Sequence, residues 1–426
     1  MKSLFFFGRN RIEVEVPEGI TCRELRSRKA IAVPDETAAV EAALEAPIAS
    51  AALSEIARGK KTAAISVCDI TRPAPNRVTL PPVLKRLNRA GITNQNILIL
   101  IATGLHRAAT AEEVEMIVGP EIAANYRVVS HNARAREEHR FIGETRRGTP
   151  VYVDERFISA DLHITLGFVE QHLMLGFSGG RKLIVPGLAA QETIKVIHSP
   201  KFIREPLATE GSIEGNPLHE ELLECARMAR HDFIVDVALT QDRKIAGVFA
   251  GNAVKAHAAG VEFVERACLE EIDEPADLVI TSAAGFPLDL TFYQAVKGIT
   301  AATHLAKPGG RILLVAECTE GMGSAEFAAM IRNMGDFAKY LDDVRDQPVD
   351  VDRWQVEKLA LAGVQNDVYF YAPGVTKAEL GSLGARAFDT LREAVSAMVR
   401  GLPRNGRVTL VPEGPYTFAR ATAQVG

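Results

Sequence analysis

Apolar and charged residues alternate along the first sixteen positions, where Ile12, Val14 and Val16 follow the apolar run that ends at Phe7. Gly8-Arg9-Asn10 interrupts the two runs, so the chain is predicted to open with a β-hairpin over residues 3–7 and 11–16, followed by a helical stretch. From about residue 60 the period changes. Thr62–Val67 reads as a short apolar strand, Leu80–Ala90 as a helix closed by Gly91, Asn96–Ile101 as a second strand and Ala111–Val118 as a second helix. Thr110 followed by Glu113 is a capping box, in which each side chain satisfies an otherwise orphan backbone donor. A third strand, Asp161–Leu166, follows an arginine-rich connection, and alternation of this kind predicts an α/β fold with a parallel sheet.

A weak internal echo accompanies this pattern. Ala160-Asp161-Leu162-His163-Ile164-Thr165 resembles Ala276-Asp277-Leu278-Val279-Ile280-Thr281, and each run leads into a glycine-containing loop. Two similar domains or two buried strands of common composition both account for it. The short acidic, proline-containing stretch Glu271 to Pro275 is the best boundary, which divides the chain into domains 1–272 and 273–426.

Composition narrows the classes. Of 426 residues, 47% are apolar and 24% charged, and 49 basic against 54 acidic side chains leave a net charge of −5. That balance gives no electrostatic footprint for nucleic acid or an anionic membrane, and no apolar run approaches the roughly 20 residues of a membrane span. The basic run from His139 to Arg147 reads as a solvated loop. Five scattered cysteines without a C-x-x-C pair argue against a disulfide framework and a thiolate zinc site, and place the protein in a reducing cytoplasm.

Three polar clusters follow three predicted strands, which puts them beyond the carboxyl ends of a parallel sheet, where α/β ligands bind. The first is Asp69-Ile70-Thr71-Arg72-Pro73, with Arg72 suited to a carboxylate or phosphate. The second, Thr103-Gly104-Leu105-His106-Arg107, places a histidine between a strand end and a capped helix. The third runs from Glu170-Gln171-His172 through Gly176-Phe177-Ser178-Gly179-Gly180-Arg181-Lys182 to Pro186-Gly187 and a helix ending near His198. Its glycines let backbone amides approach an anion, but Arg181 and Leu183 flank the lysine where a Walker loop needs Gly and Ser or Thr. In the second half, Gly285-Phe286-Pro287-Leu288-Asp289 leads into a helix with Asp289 as N-cap, on which Gln294 and Lys297 share a face. Gly321-Met322-Gly323 reads as a turn.

Taken in order, these motifs resemble the nickel-pincer lactate racemase family over most of the chain. The resemblance implies a racemase or epimerase of a 2-hydroxycarboxylic acid built from two Rossmann-like α/β domains, with the site in the crevice between them. It implies a nickel-pincer nucleotide (pyridinium-3,5-bisthiocarboxylic acid mononucleotide nickel) attached covalently through Lys182, with His198 completing the nickel coordination. His106 and His172 would be the acid/base pair, Asp69, Ile70, Thr71 and Arg72 cofactor contacts, and Arg72, Gln294 and Lys297 substrate contacts. Separate maturation proteins would supply the cofactor. Gln171 stands where the family commonly has proline, which leaves the particular 2-hydroxyacid open, and Leu173, Met174, Tyr293 and Trp354 are candidates for shaping the pocket.

The residue types suit that chemistry. The C2 hydrogen of a 2-hydroxycarboxylate is too weakly acidic for histidine to remove as a proton, whereas histidine can take the hydroxyl proton while hydride leaves C2. Two histidines serve because two enantiomers present their hydroxyls on different sides. The rival readings are a nicotinamide-dependent 2-hydroxyacid dehydrogenase, for which no G-x-G-x-x-G follows a strand, and a non-catalytic ligand-binding homologue.

Overall fold

The computed structural model describes residues 1–350 and 352–422. The chain folds as two compact units, one made of residues 29–267 and the other of residues 1–28 together with 268–426.

The 29–267 unit is built on a six-stranded sheet. In spatial order its strands are Ile245–Gly251, Phe233–Leu239, Leu162–Phe168, Ala63–Cys68, Ile97–Ala102 and Arg127–Ser130. Counted along the chain that order is 6-5-4-1-2-3. All neighbours pair in parallel except the edge strand Ile245–Gly251, which pairs antiparallel with Phe233–Leu239. Ala63–Cys68 and Leu162–Phe168 are buried at every position, as strands covered on both faces must be. The sheet order reverses between these two strands, so the chain segments that leave their carboxyl ends diverge and open a crevice.

The helix after the first strand begins at Asn76, earlier than the sequence predicts, and runs through Pro81 and Pro82 to Arg89. Prolines inside a helix forfeit backbone bonds, but Leu80, Val83, Leu84 and Leu87 on this helix are buried in the core, and burial outweighs the loss. The basic run expected as a solvated loop instead contains the strand His139–Glu144, paired antiparallel with Pro150–Asp154. Its alternate residues are too polar to announce a strand, and the pairing is fixed by the hairpin.

The other unit carries a wholly parallel five-stranded sheet in the order Asp367–Tyr371, Ala306–Val315, Ala276–Ser282, Arg407–Val411 and Thr21–Glu24. The division at 272/273 read from the sequence therefore differs from the observed grouping. The opening hairpin, Lys2–Phe7 with Asn10–Glu15, buries Phe5 and Val14 together with Leu278, Ile280 and Leu313, and Thr21–Glu24 adds an edge strand the sequence did not signal. The stretch expected as the domain boundary begins within a short strand, Glu270–Ile272, paired with Ala419–Ala421. Among the described residues no helix is long and apolar enough to cross a membrane.

Because Phe5 is wholly buried in the second unit's core, Phe5→Ala should destabilise that unit by about 3–5 kcal/mol. Trp354, the single tryptophan, lies in the same unit, so its fluorescence during urea unfolding measures the loss. An unchanged midpoint would mean that the hairpin does not belong to this core.

Candidate active site

The crevice of the 29–267 unit gathers most of the residues singled out in the sequence. Beyond Cys68 the chain makes a tight turn in which the Arg72 N–H donates to the Asp69 carbonyl at 3.1 Å. The Asp69 carboxylate is buried, accepts from the Thr71 hydroxyl at 2.7 Å and lies 2.7 Å from Nδ1 of His106. Burial alone would raise this carboxyl. The hydrogen bonds from His106 and Thr71, with the charges of His106 and Arg72, outweigh it and hold the group below the usual carboxylate range. Arg72 reaches across the reversal point to Glu170, Nη1 to Oε1 at 2.9 Å, and so ties together the chain segments leaving the two diverging strands.

The two histidines differ in their proton arrangement. Asp69 can only accept, so Nδ1 of His106 carries the proton and Nε2 keeps its lone pair, on a side chain that is 59% exposed. His172 is buried in the short antiparallel pair Gln171–His172 with Gly176–Phe177, where its Nδ1 accepts from the N–H groups of Met174 and Leu175, both at 3.3 Å. Its neutral ring therefore carries the proton on Nε2. One imidazole presents a lone pair and the other an N–H donor.

Lys182 sits on the single helical turn Gly180–Leu183, entered through Gly179 with φ 85°. Its charge is felt by Cys68, whose thiol burial pushes up to about 12, and by His198. His198 caps the helix Gln191–Ile197 and donates from Nδ1 to the Ile194 carbonyl at 2.9 Å. Burial lowers its pKa, a hydrogen bond to Ile194 opposes that, and the Lys182 charge adds to the lowering. The result is a neutral imidazole with its lone pair on Nε2, the state a metal ligand requires. Among the described residues no three His, Cys, Asp or Glu side chains converge as a metal cluster. A metal held by His198 would take its other donors from a non-protein ligand, and an amine on a glycine turn suits the attachment of one.

Ile70, in the turn after Cys68, is exposed. Gln294 and Lys297 belong to the other unit, on the helix Phe292–Thr303, where the Gln294 side-chain oxygen is buried without a hydrogen-bond partner among the described residues. Asp289 is not that helix's N-cap. Thr291 takes the role, accepting from the Gln294 N–H at 3.4 Å, while the buried Asp289 carboxylate accepts from the Gly8 N–H at 2.6 Å. Local spacing suggested the cap, but the incoming hairpin turn claims the carboxylate.

The chain matches the lactate racemase N-terminal domain family over residues 7–211 and the lactate racemase C-terminal domain family over residues 272–417. It is 33% identical over 421 residues to the lactate racemase of Thermoanaerobacterium thermosaccharolyticum, covering 97% of this chain and 98% of that protein. It is 36% identical over 383 residues to the lactate racemase of Lactiplantibacillus plantarum, covering 89% and 90%. The solved lactate racemase apoprotein from Thermoanaerobacterium thermosaccharolyticum superimposes with a TM-score of 0.90 at 32% identity, over 99% of this chain and all of that one. A Thermotoga maritima protein at 17% identity shares the fold, with a TM-score of 0.67 over 91% of this chain and 98% of that one.

Sequence reading missed Asp236, although an acid in the middle of the apolar strand Phe233–Leu239 was a signal. Its carboxyl is fully buried, opposite Gly167 in the neighbouring strand and against the Gly179 turn. A Cβ on Gly179 would stand 2.6 Å from it and 3.1 Å from the Phe168 carbonyl, so glycine is needed there for space as well as for φ. Burial pushes Asp236 up to about 7 against the opposing pull of the Gly180 N–H, the Arg181 charge and the Gly167 N–H. Arg181, equally buried, donates to the carbonyls of Phe177 at 2.9 Å and Leu175 at 3.1 Å. A carboxyl with a raised folded pKa retains a proton that the unfolded chain loses, so its contribution is fully present below about pH 4 and is lost as pH rises to about 7. Asp236→Asn should therefore remove a fall in stability on the order of 4 kcal/mol between pH 4 and pH 8. Urea unfolding of both proteins across that range is the measurement, and parallel curves would contradict it.

Proposed function

This chain belongs to the lactate racemase family, and on that premise we propose that it inverts the C2 centre of a small 2-hydroxycarboxylate, lactate or a relative, as a racemase or epimerase. The observation that carries the reading is the pair of histidines in opposite tautomers. An inversion at a carbinol carbon needs a base for the hydroxyl of one enantiomer and a proton donor for the oxygen of the other.

In this reading, Nε2 of His106 takes the hydroxyl proton, and Asp69 stabilises the imidazolium that forms, because a buried carboxylate 2.7 Å away strengthens as the ring becomes charged. His172 presents its Nε2–H toward the substrate oxygen from the other side and gives up that proton as the hydride returns; the exposed His106 then releases its proton to solvent while His172 regains one, and the two exchange roles in the opposite direction. Arg72, held by Glu170, is assigned to the substrate carboxylate. We read both units as Rossmann-like.

The residues also fit the family's nickel-pincer nucleotide. Lys182 offers an amine on a glycine turn, His198 a neutral imidazole whose Nδ1 is engaged by the Ile194 carbonyl, and Asp69, Ile70, Thr71 and Arg72 form the loop after Cys68. When bound, that group supplies the acceptor for the C2 hydrogen as hydride. Delivery by separate maturation proteins follows from the same reading.

Three outcomes test it. His106→Ala and His172→Ala should each lower racemisation by on the order of 10²–10⁴, since each direction uses both rings. With C2-deuterated substrate in ordinary water, the inverted product should keep its deuterium, and washout during the first turnovers would reject hydride chemistry. Protein matured with the cofactor should carry a mass adduct on the peptide containing Lys182, which Lys182→Ala abolishes. An unmodified chain that oxidises 2-hydroxyacids with added NAD would instead identify a dehydrogenase.

A further inference from the structure

A buried chain of hydrogen bonds runs behind the His106 loop and takes no part in the proposed chemistry. Nδ1 of His139 is 2.8 Å from the Ala135 carbonyl, Nε2 of His139 is 2.9 Å from Nε2 of His131, and Nδ1 of His131 is 3.2 Å from the Thr103 hydroxyl. The Ala135 carbonyl can only accept, so Nδ1 of His139 must donate. With a single proton on the His139 ring, its Nε2 accepts from Nε2–H of His131, whose Nδ1 then faces the Thr103 O–H as an acceptor. That hydroxyl also lies 2.7 Å from the His131 carbonyl and is shared between the two acceptors. Every ring nitrogen is used, and the order of protons is fixed from one end. Burial holds His131 down to about 3, so it stays neutral.

The same segment touches the site at further points. The Ser130 hydroxyl accepts from the Ala109 N–H at 3.1 Å, and Arg134 donates to the Leu105 carbonyl at 3.3 Å. The Ala133 carbonyl accepts at 2.9 Å from the N–H of Gln191, first residue of the helix that ends at His198. The His106 N–H itself donates to the Thr103 carbonyl at 3.0 Å. A satisfied buried network specifies one geometry where an apolar contact would accept several.

We propose that Thr103, His131 and His139 are positioning residues: a proton-ordered chain that fixes the turn presenting His106 to Asp69 and, through Ala133, ties it to the helix bearing His198. The functional weight of this rests on the acid/base reading of His106, but the contact with Asp69 can be tested without it. Thr103→Val keeps shape and removes the hydroxyl, while Thr103→Ser restores it. In cofactor-free protein, the His106 Nδ1–H proton resonance, held by the hydrogen bond to Asp69, should move upfield and exchange faster with solvent in Thr103→Val as the ring loses Asp69. Thr103→Ser should keep the wild-type resonance. In loaded enzyme, Thr103→Val should lose about 10–100-fold in kcat with KM within about threefold, because binding groups are untouched. If Thr103→Val does not fold, Ser130→Ala combined with Arg134→Gln, which frees the same turn, should move the His106 Nδ1–H resonance in the same direction. A folded variant whose Nδ1–H resonance stays as in wild type overturns the proposal. A wild type without racemase activity, beside a Thr103→Val variant with the expected loss of that resonance, would instead fault the functional reading and leave the positioning role standing.

Discussion

Two neighbouring parallel strands, Ala63–Cys68 and Leu162–Phe168, hand their chains on in opposite directions, and the candidate chemistry of the 29–267 unit hangs on that divergence. Later strands are added beyond Ala63–Cys68 on one side and beyond Leu162–Phe168 on the other. Polar loops from the two carboxyl ends can face one another there, and the segment after Leu162–Phe168 packs back on the first two strands, with the Ser66 hydroxyl donating to the Leu183 carbonyl at 2.8 Å and the Gly104 N–H to the Gly187 carbonyl at 3.0 Å. The Arg72–Glu170 ion pair spans the gap between the two ends. Both partners are about one-third exposed, so its worth lies in geometry more than in stability.

Behind the polar loops, the unit commits several buried polar groups, and it treats charged and neutral ones differently. The imidazoles of His131 and His139 have every nitrogen paired, which makes them less costly to bury and strict about position. Asp236 and Arg181 are the contrasting case. For donors, both Asp236 oxygens feel only the weak pull of the Gly180 and Gly167 N–H groups, Nε of Arg181 lacks a hydrogen-bond partner among the described residues, and burial pushes each group toward its uncharged form. Such a pair is a local source of instability beneath the very turn that carries Lys182, and sites that do chemistry are where such costs accumulate.

The other unit repeats the parallel-sheet logic with a different ending. Its opening hairpin reaches the loop after Ala276–Ser282, where the Phe286 N–H donates to the Gly8 carbonyl at 2.8 Å and Asp289 accepts from the Gly8 N–H. Arg9 lies over the Phe286 ring at 3.7 Å. Backbone from the chain's own start thus occupies the strand-end region of this sheet, and the GFPLD motif, read from sequence as a cap, serves as the socket for that hairpin.

By itself the sequence determined the α/β class, the opening hairpin and three of the six strands of the 29–267 sheet, the Thr110–Glu113 capping box and the residue types gathered beyond the strand ends. Each of these is written in local periodicity or in short-range spacing, which depend only on neighbours along the chain. Tertiary structure alone decided that residues 1–28 belong with 268–426, because an edge strand of four residues, Thr21–Glu24, signals nothing until Arg407–Val411 is present to pair with it. It also decided the tautomers of His106 and His172, which are set by Asp69 thirty-seven positions away in one case and by two backbone amides in the other. The segment 130–139 looked like a polar connection for the same reason: its hydrogen-bond partners are Thr103, Leu105 and Gln191, and no pattern along the chain records a contact made by folding back.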